Sequence, residues 1–171
     1  MSTTTIAGRS SPVALILHER RGNWARSLRP RMGDLPIRWF ESRSTADLLD
    51  AARGLTAPVV LIDLGEEPYG PLEDLTRLID VSPSARVLIL DPWERPEVGE
   101  SARALGASHR ISGFVPPTEV AELLARWVLL AAEETDRQGW SRPLPADPAR
   151  QPLAWIDELI EEVRRALPPS Y

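Results

Sequence analysis

The sequence predicts an α/β fold built on one parallel sheet, and two patterns along the chain support this prediction. Short apolar runs alternate five times with longer stretches of helical spacing, as in proteins whose parallel strands are connected by helices. Three of the runs have no polar alternation, which is expected of central strands that helices cover on both faces. With 171 residues, the chain is long enough for one domain with a substantial core.

The five strands and five helices follow one another in strict alternation. Strands are predicted at 13–17, 37–40, 59–62, 87–90 and 111–115, of which the last is the weakest. Helices are predicted at about 22–32, 44–54, 71–81, 96–105 and 118–135, where apolar residues recur every three or four positions. The expected winding is the flavodoxin-like strand order 2-1-3-4-5, with a ligand crevice at the carboxyl ends of strands 1 and 3.

Three further segments flank the predicted domain of residues 12–135. Residues 1–11 are predicted to be a flexible N-terminus, and they lack the apolar stretch of a signal peptide. Residues 136–152 are rich in proline and are predicted to form an extended linker. Residues 153–167 are predicted to form an amphipathic helix too short to be stable without a docking surface. Its apolar face comprises Ile156, Leu159, Ile160, Val163 and Leu167, with Trp155 at the border.

Composition excludes several classes of function. Cysteine is absent, so neither disulfides nor thiolate metal sites are available. No run is long enough to span a bilayer, so a cytoplasmic protein without membrane contact is expected. The net charge of −5 and the dispersed arginines form no basic stripe for nucleic acid. No phosphate loop, dinucleotide fingerprint or nucleophile motif occurs, so no enzymatic activity is expected.

Several stretches of the chain resemble the receiver domain of bacterial response regulators. The run 59–64 is similar to the third receiver strand, with Asp63 at the position of the phospho-accepting aspartate. The run 13–17 is similar to the first strand, after which His18 replaces one residue of the acidic pair and Glu19 keeps the other. Further similarities lie at 42–53 and at Gly106-Ala107, so the resemblance covers about residues 12–135. It implies a role in two-component signal transduction.

The departures from the receiver pattern argue against the usual phosphoryl transfer. All twenty basic residues are arginine, so the lysine that receivers carry at the end of strand 5 is missing. Depending on the register of that strand, Gly113 or Pro116 occupies the lysine position, and neither supplies a cation. Asp91 replaces the hydroxyl residue at the end of strand 4. A carboxylate there would repel a phosphoryl group, because like charges at short range repel.

The strand ends define a candidate crevice lined by His18, Glu19, Gly65 and Asp91 beside Asp63. Its three carboxylates are expected to converge, and a bound cation, a shared proton or water must then relieve their repulsion. Glu19 and Asp63 are the candidate ligands if Mg²⁺ is bound, and no other cofactor is expected. His18 is better suited to hydrogen bonding, and Asp63 has a second interpretation as the cap of the following turn. Replacing Asp91 with threonine is expected to stabilise the fold by about 1 kcal/mol.

These features favour a degenerate, stand-alone receiver that acts as a protein interaction or regulatory module without phosphorylation. Two alternatives remain: a genuine single-domain response regulator phosphorylated on Asp63, and a flavodoxin-like domain that binds a small molecule. The expected partner is another protein or a second copy, which would pair through the face made by helix 4, strand 5 and helix 5. Trp93 and Trp127 are the candidate anchors on this face.

Overall fold

The computed structural model describes residues 12–141, with side chains described through residue 137. Its five strands form a single parallel sheet in the order 2-1-3-4-5, so the predicted winding is confirmed. The strands are β1 (Val13–His18), β2 (Ile37–Ser42), β3 (Val59–Asp63), β4 (Arg86–Asp91) and β5 (His109–Ser112). The helices are α1 (Asn23–Leu28), followed by a 3-10 turn (Arg29–Arg31), α2 (Thr45–Ala52), α3 (Tyr69–Val81), α4 (Pro96–Ala104) and α5 (Pro117–Ser141).

The central strands separate two apolar cores, one on each face of the sheet. Successive side chains of a strand point to opposite faces, so Leu15 and Leu17 pack in the core that contains Leu124 of α5. Ile16 lies between them in the chain and packs in the other core, which contains Leu75 of α3. Because both faces are covered, the central strands are apolar throughout, which explains the runs seen in the sequence.

Strand β5 lies nearer the N-terminus than predicted. The sequence favoured 111–115, whereas the strand spans His109–Ser112, with Ser112 opposite Asp91. Gly113 ends it with a φ of 80°, a left-handed conformation that glycine adopts without strain. As an edge strand it pairs on one side only and needs fewer apolar residues, and this weakened its sequence signal. Phe114, which lies within the predicted range, is 92% exposed.

Helix α5 is longer than predicted and continues through Ser141. The predicted domain ended at residue 135, so residues 136–141, assigned to the linker, are helical instead. None of these six residues is proline, and the first proline of the segment is Pro143, so nothing in 136–141 removes a helical N–H. Outside the described residues lie the predicted flexible N-terminus, the linker from 142 onward, and the predicted helix 153–167 with Trp155, Ile156, Leu159, Ile160, Val163 and Leu167.

No helix within the described part of the chain combines the length and apolar character needed to cross a bilayer.

Candidate functional site

The candidate site lies where the central strands end, because the carboxyl ends of parallel strands meet at one edge of the sheet. Asp63 is the last residue of β3 and is half-buried. Its Oδ1 accepts a hydrogen bond from the backbone N–H of Gly65 at 3.0 Å, the turn-capping contact that the sequence offered as a second interpretation. Its Oδ2 accepts a hydrogen bond from the indole Nε1 of Trp24 at 3.1 Å, a contact that sequence reasoning missed.

Glu19 is buried and caps the N-terminus of α1. Its two carboxylate oxygens accept hydrogen bonds from the backbone N–H groups of Trp24 and Ala25 at 2.9 and 2.8 Å. The first N–H groups of a helix have no partner within the helix, and a carboxylate is favourable at this end of the helix dipole. The metal site predicted at Glu19 and Asp63 stays a prediction. Both oxygens of Glu19 already accept hydrogen bonds from the helix. The described residues contain no cluster of three or more histidine, cysteine or acidic side chains that could hold a metal.

Asp91 is fully buried and lies between two arginines. Its Oδ2 accepts hydrogen bonds from the backbone N–H of Arg95 and from Nη2 of Arg110, both at 2.8 Å. Its Oδ1 lies 3.4 Å from Nη1 of Arg95. The predicted lysine positions, Gly113 and Pro116, carry no cation, but Arg110 of β5 brings a guanidinium group to Asp91. The two guanidinium groups supply positive charge next to the carboxylate of Asp91.

Arg95 also joins the two loops on either side of the crevice. Its Nη2 donates to the carbonyl oxygens of Gly65 and Glu66 at 2.8 and 2.9 Å, which links the β4–α4 loop to the β3–α3 loop. Arg110 Nη2 donates in addition to the carbonyl oxygen of Arg95 at 2.8 Å. Gly99 leaves room for Arg110, because a Cβ at this position would collide with the guanidinium. The sequence carried one local signal of this network, the spacing of four residues between Asp91 and Arg95.

His18 lies in a buried polar network between α2 and α3, away from the Asp63 crevice. Its Nε2 lies 3.1 Å from Oδ2 of Asp74, and its Nδ1 lies 2.9 Å from Oγ of Ser42. The hydroxyl of Thr45 donates to the other oxygen of Asp74 at 2.6 Å. The prediction that His18 makes hydrogen bonds is confirmed. Its two partners come from β2 and α3, so the sequence could not identify them.

The surroundings of His18 determine its charge. Burial lowers the pKa of His18 from its ordinary value of 6.5, although the carboxylate of Asp74 raises it. A carboxylate can only accept, so the neutral ring donates its Nε2–H to Asp74 and accepts the hydroxyl proton of Ser42 at Nδ1. Because the folded-state pKa is the lower one, neutral His18 stabilises the fold above pH 6.5. This contribution is lost as the pH falls through the folded-state pKa.

Two adjoining cavities open above Asp63. The larger has a volume of about 560 Å³ and the smaller about 230 Å³, and Asn23, Asp63 and Pro92 line both. Gly65 lines the larger cavity, as predicted. The other three predicted crevice residues lie at or just after the ends of their strands, but they are buried and line neither cavity, which corrects their assignment to the crevice. These residues are His18, Glu19 and Asp91.

A turn after β4 presents Trp93 at the rim of the larger cavity. Trp93, one of the two candidate anchors, is 59% exposed. The carbonyl oxygen of Asp91 accepts hydrogen bonds from the backbone N–H groups of Gly113 and Glu94, and Glu94 has the positive φ of 51°. A non-glycine residue in this conformation is strained and persists only where its surroundings hold it. Trp127, in contrast, is partly buried against the core beneath α5.

Solved structures of receiver domains resemble this fold. A receiver-domain protein from Methanospirillum hungatei is similar over 72% of this chain and 99% of its own, with a TM-score of 0.61 and 13% identity. A response regulator from Burkholderia pseudomallei, solved with a phosphorylated aspartic acid, a calcium ion and citrate, is similar over 77% of this chain and 76% of its own, with a TM-score of 0.56 and 17% identity. A protein named as an adenylate cyclase from Rhodopirellula baltica covers 78% of this chain and 99% of its own, with a TM-score of 0.61 and 10% identity.

Comparisons at the level of sequence, unlike those of structure, find no match. No protein-family model matches the chain. No curated protein matches it either. At identities of 10 to 17%, the similarity concerns the fold. The strand order, the position of Asp63 at the end of β3 and these structural similarities agree, and the chain has the fold of a response-regulator receiver domain.

Proposed function

We propose that the chain is a signalling module of the receiver type that works through protein contacts, and that Asp63 does not act as a phosphorylation switch. The observation that carries this proposal is the engagement of Arg110 with the buried Asp91. Phosphoryl transfer to an aspartate depends on cations that neutralise the incoming oxygens. The cation that β5 supplies is committed to Asp91 instead.

Glu19 and Asp63, the two predicted metal ligands, also accept hydrogen bonds from groups of the chain itself. Glu19 caps α1 with both oxygens, and Oδ2 of Asp63 accepts the indole N–H of Trp24. A phosphoryl group on Asp63 would have to displace or accommodate this indole. Repulsion between Asp91 and a phosphoryl group is not part of the support, because Asp91 forms ion pairs with Arg95 and Arg110. The support comes from the pairing of Arg110 with Asp91 and from the indole of Trp24 that lies against Asp63.

Phosphorylation on Asp63 is the second candidate function. Asp63 ends β3, is half-buried and faces an open cavity, so a small phosphodonor has access to it. The similar response regulator from Burkholderia pseudomallei carries a phosphorylated aspartic acid. The two candidates differ in one measurable property, the mass of the protein after treatment with a phosphodonor.

We predict that acetyl phosphate with Mg²⁺ leaves the intact mass of the protein unchanged. No described cation contacts Asp63, so the transferred charge is not neutralised and the transfer is slow. Intact-mass spectrometry checks this prediction, with a phosphorylatable receiver treated in parallel as the positive control. A gain of one phosphoryl mass that disappears in Asp63→Asn would establish the second candidate instead.

The face proposed for protein contacts includes one flank of α5. Leu123, Trp127 and Leu130 recur at intervals of three and four residues, so they lie along the same flank of the helix. Glu134 continues this flank and pairs with Arg86 of β4, which places the flank towards the β4–β5 side of the sheet. Leu123 and Trp127 are partly buried, and Leu130 is 43% exposed. We propose that this flank, together with β5 and α4, pairs with a second copy of the chain.

We predict that the protein self-associates at high concentration and that Leu130→Arg weakens this association at least about tenfold, because burying an unpaired charge at an interface is costly. Leu129→Arg is the matched control, since Leu129 is also exposed but lies on a different side of α5. Sedimentation velocity over a concentration series measures both variants. A protein that stays monomeric throughout, or an equal effect of the two substitutions, would contradict pairing through this flank.

A further inference from the structure

We propose that the crevice above Asp63 binds a guanidinium group, either that of a small molecule or that of an arginine side chain on a partner protein. The two cavities meet at Asp63, and together they have the size of a small-molecule site. The inference uses Asp63 as an unmodified carboxylate and therefore rests on the proposed function. It adds the chemical class of the bound group.

The first support is the half-buried carboxylate at the floor of the crevice. Asp63 receives two hydrogen bonds, from the backbone N–H of Gly65 and the indole N–H of Trp24, and both donors are neutral. Within residues 12–137, no arginine or histidine forms an ion pair with it. Each oxygen accepts one of these hydrogen bonds and keeps a second lone-pair direction. Two parallel acceptors of this kind match the forked N–H donors of a guanidinium.

The second support is the aromatic lining. Trp93 lines the larger cavity and is 59% exposed, whereas Phe114 lines the smaller cavity and is 92% exposed. Trp24 contributes to the wall of the smaller cavity beside Asp63. Arginine stacks on aromatic faces and is more weakly hydrated than an ammonium, so it enters such a lining at lower cost than lysine.

The charged side chains at the rim of the larger cavity balance one another, so the carboxylate of Asp63 determines which charge the crevice attracts. Arg21 and Glu66 face each other across 3.7 Å, and both side chains are well exposed. Glu67 and Arg20 are also exposed on the lining of the larger cavity. These rim charges are balanced in sign and screened by solvent. The floor carries one negative charge and therefore attracts a cation.

The chain already uses this chemistry elsewhere. The guanidinium of Arg29 lies over the ring of Trp39 at 5.2 Å and donates to Oε1 of Glu41 at 2.7 Å. At that place the chain provides the aromatic ring, the carboxylate and the arginine. The Asp63 crevice provides the ring and the carboxylate, and the described residues provide no arginine there.

A guanidinium also fits the crevice better than a divalent metal ion. Mg²⁺ requires several oxygen ligands in near-octahedral geometry. Glu19 is buried against the amides of α1 and lines neither cavity, so it does not offer a second carboxylate beside Asp63. A guanidinium needs one carboxylate, and Asp63 presents it.

The experiment titrates the full chain with N-acetyl-arginine amide and follows backbone amide shifts by NMR. N-acetyl-citrulline amide is the matched neutral control, since it has nearly the same shape without the charge. We expect saturable shifts at Asp63, Gly65 and Trp93 with the arginine probe, and binding at least about tenfold weaker with the citrulline probe, as is typical when a charged hydrogen-bonded pair loses its charge.

Two variants locate the site. Asp63→Asn should weaken binding about tenfold, because the charge is lost while the side chain keeps its shape. Trp93→Ala should weaken it about threefold, as expected for an exposed cation–π contact. Asp50→Asn makes the same chemical change on the exposed surface of α2 and should leave binding unchanged. Equal binding of both probes, no saturable shift at millimolar probe, or full binding to Asp63→Asn would overturn the inference.

A short peptide containing one central arginine distinguishes the two sources of the group. Tighter binding of the peptide than of the amide identifies a partner protein's arginine, and equal binding identifies a small molecule. Both results support a guanidinium site.

The binding test is separate from the phosphorylation test of the proposed function. If Asp63 gains a phosphoryl mass but the unmodified protein binds the arginine probe, the proposed function fails and the site remains. If the mass stays constant and the probe does not bind, the proposed function stands and the guanidinium site fails.

Discussion

Replacing Asp91 with threonine should destabilise the fold by about 3 kcal/mol at neutral pH, because removing one partner of a buried ion pair leaves uncompensated charge. Asp91 is fully buried, whereas Arg95 and Arg110 keep 15% and 20% of their side-chain surface exposed. This partial exposure places the expected loss at the lower end of the range for buried pairs. Threonine could still accept the backbone N–H of Arg95, but it would leave both guanidinium groups without a counter-charge.

This expected loss reverses the sign of the effect expected from the sequence, where Asp91 was treated as a source of repulsion. Urea unfolding of the wild-type protein and the variant measures the change. Asp50→Thr is the control, since Asp50 pairs with Arg53 on the exposed surface of α2 and the pair should contribute less than about 1 kcal/mol. A gain in stability for Asp91→Thr would show that repulsion between carboxylates dominates after all.

Replacing Asp74 with alanine should destabilise the fold by about 2.5 kcal/mol, because it leaves buried donors without partners. The carboxylate of Asp74 accepts hydrogen bonds from His18 and Thr45, and this network connects β1, α2 and α3. Alanine is a better helix former than aspartate, so helix propensity cannot account for a loss.

Thermal or urea unfolding at pH 7 checks this prediction, since His18 is neutral there and remains a hydrogen-bond donor to Asp74. Asp80→Ala is the matched control because Asp80 is exposed on the same helix, and its effect should be below about 0.5 kcal/mol. Similar effects of the two substitutions would mean that the network around His18 contributes little to stability.

Much of the fold follows from local patterns. The apolar runs of β1, β3 and β4 are readable because helices cover both faces of these strands. Strand β5 was misplaced because an edge strand buries fewer side chains and so has a weaker apolar pattern, and the predicted range included Phe114, whose side chain is exposed. The end of α5 was misplaced because a proline-rich composition was extended to 136–141, where no proline occurs.

The candidate site was predictable in its position but not in its contacts. Asp63 was located from the end of an apolar strand, and the carboxyl ends of parallel strands necessarily meet at one edge. Trp24 and Arg110 were missed as partners of the carboxylates because each comes from an element distant in sequence, whereas the spacing of four residues between Asp91 and Arg95 was a local signal that went unused. Sequence spacing says little about which side chains converge from different elements.

The sequence by itself determined the parallel α/β fold, the position of Asp63 and the absence of a lysine near it. These features depend on residue type and on periodicity within single elements. The tertiary structure alone decided that Arg110 neutralises Asp91, that Glu19 caps α1, and that Asp63 has only neutral donors among the described residues. The physical reason is that a charge acts through distance and burial, and both are set by the packing of elements that are far apart along the chain.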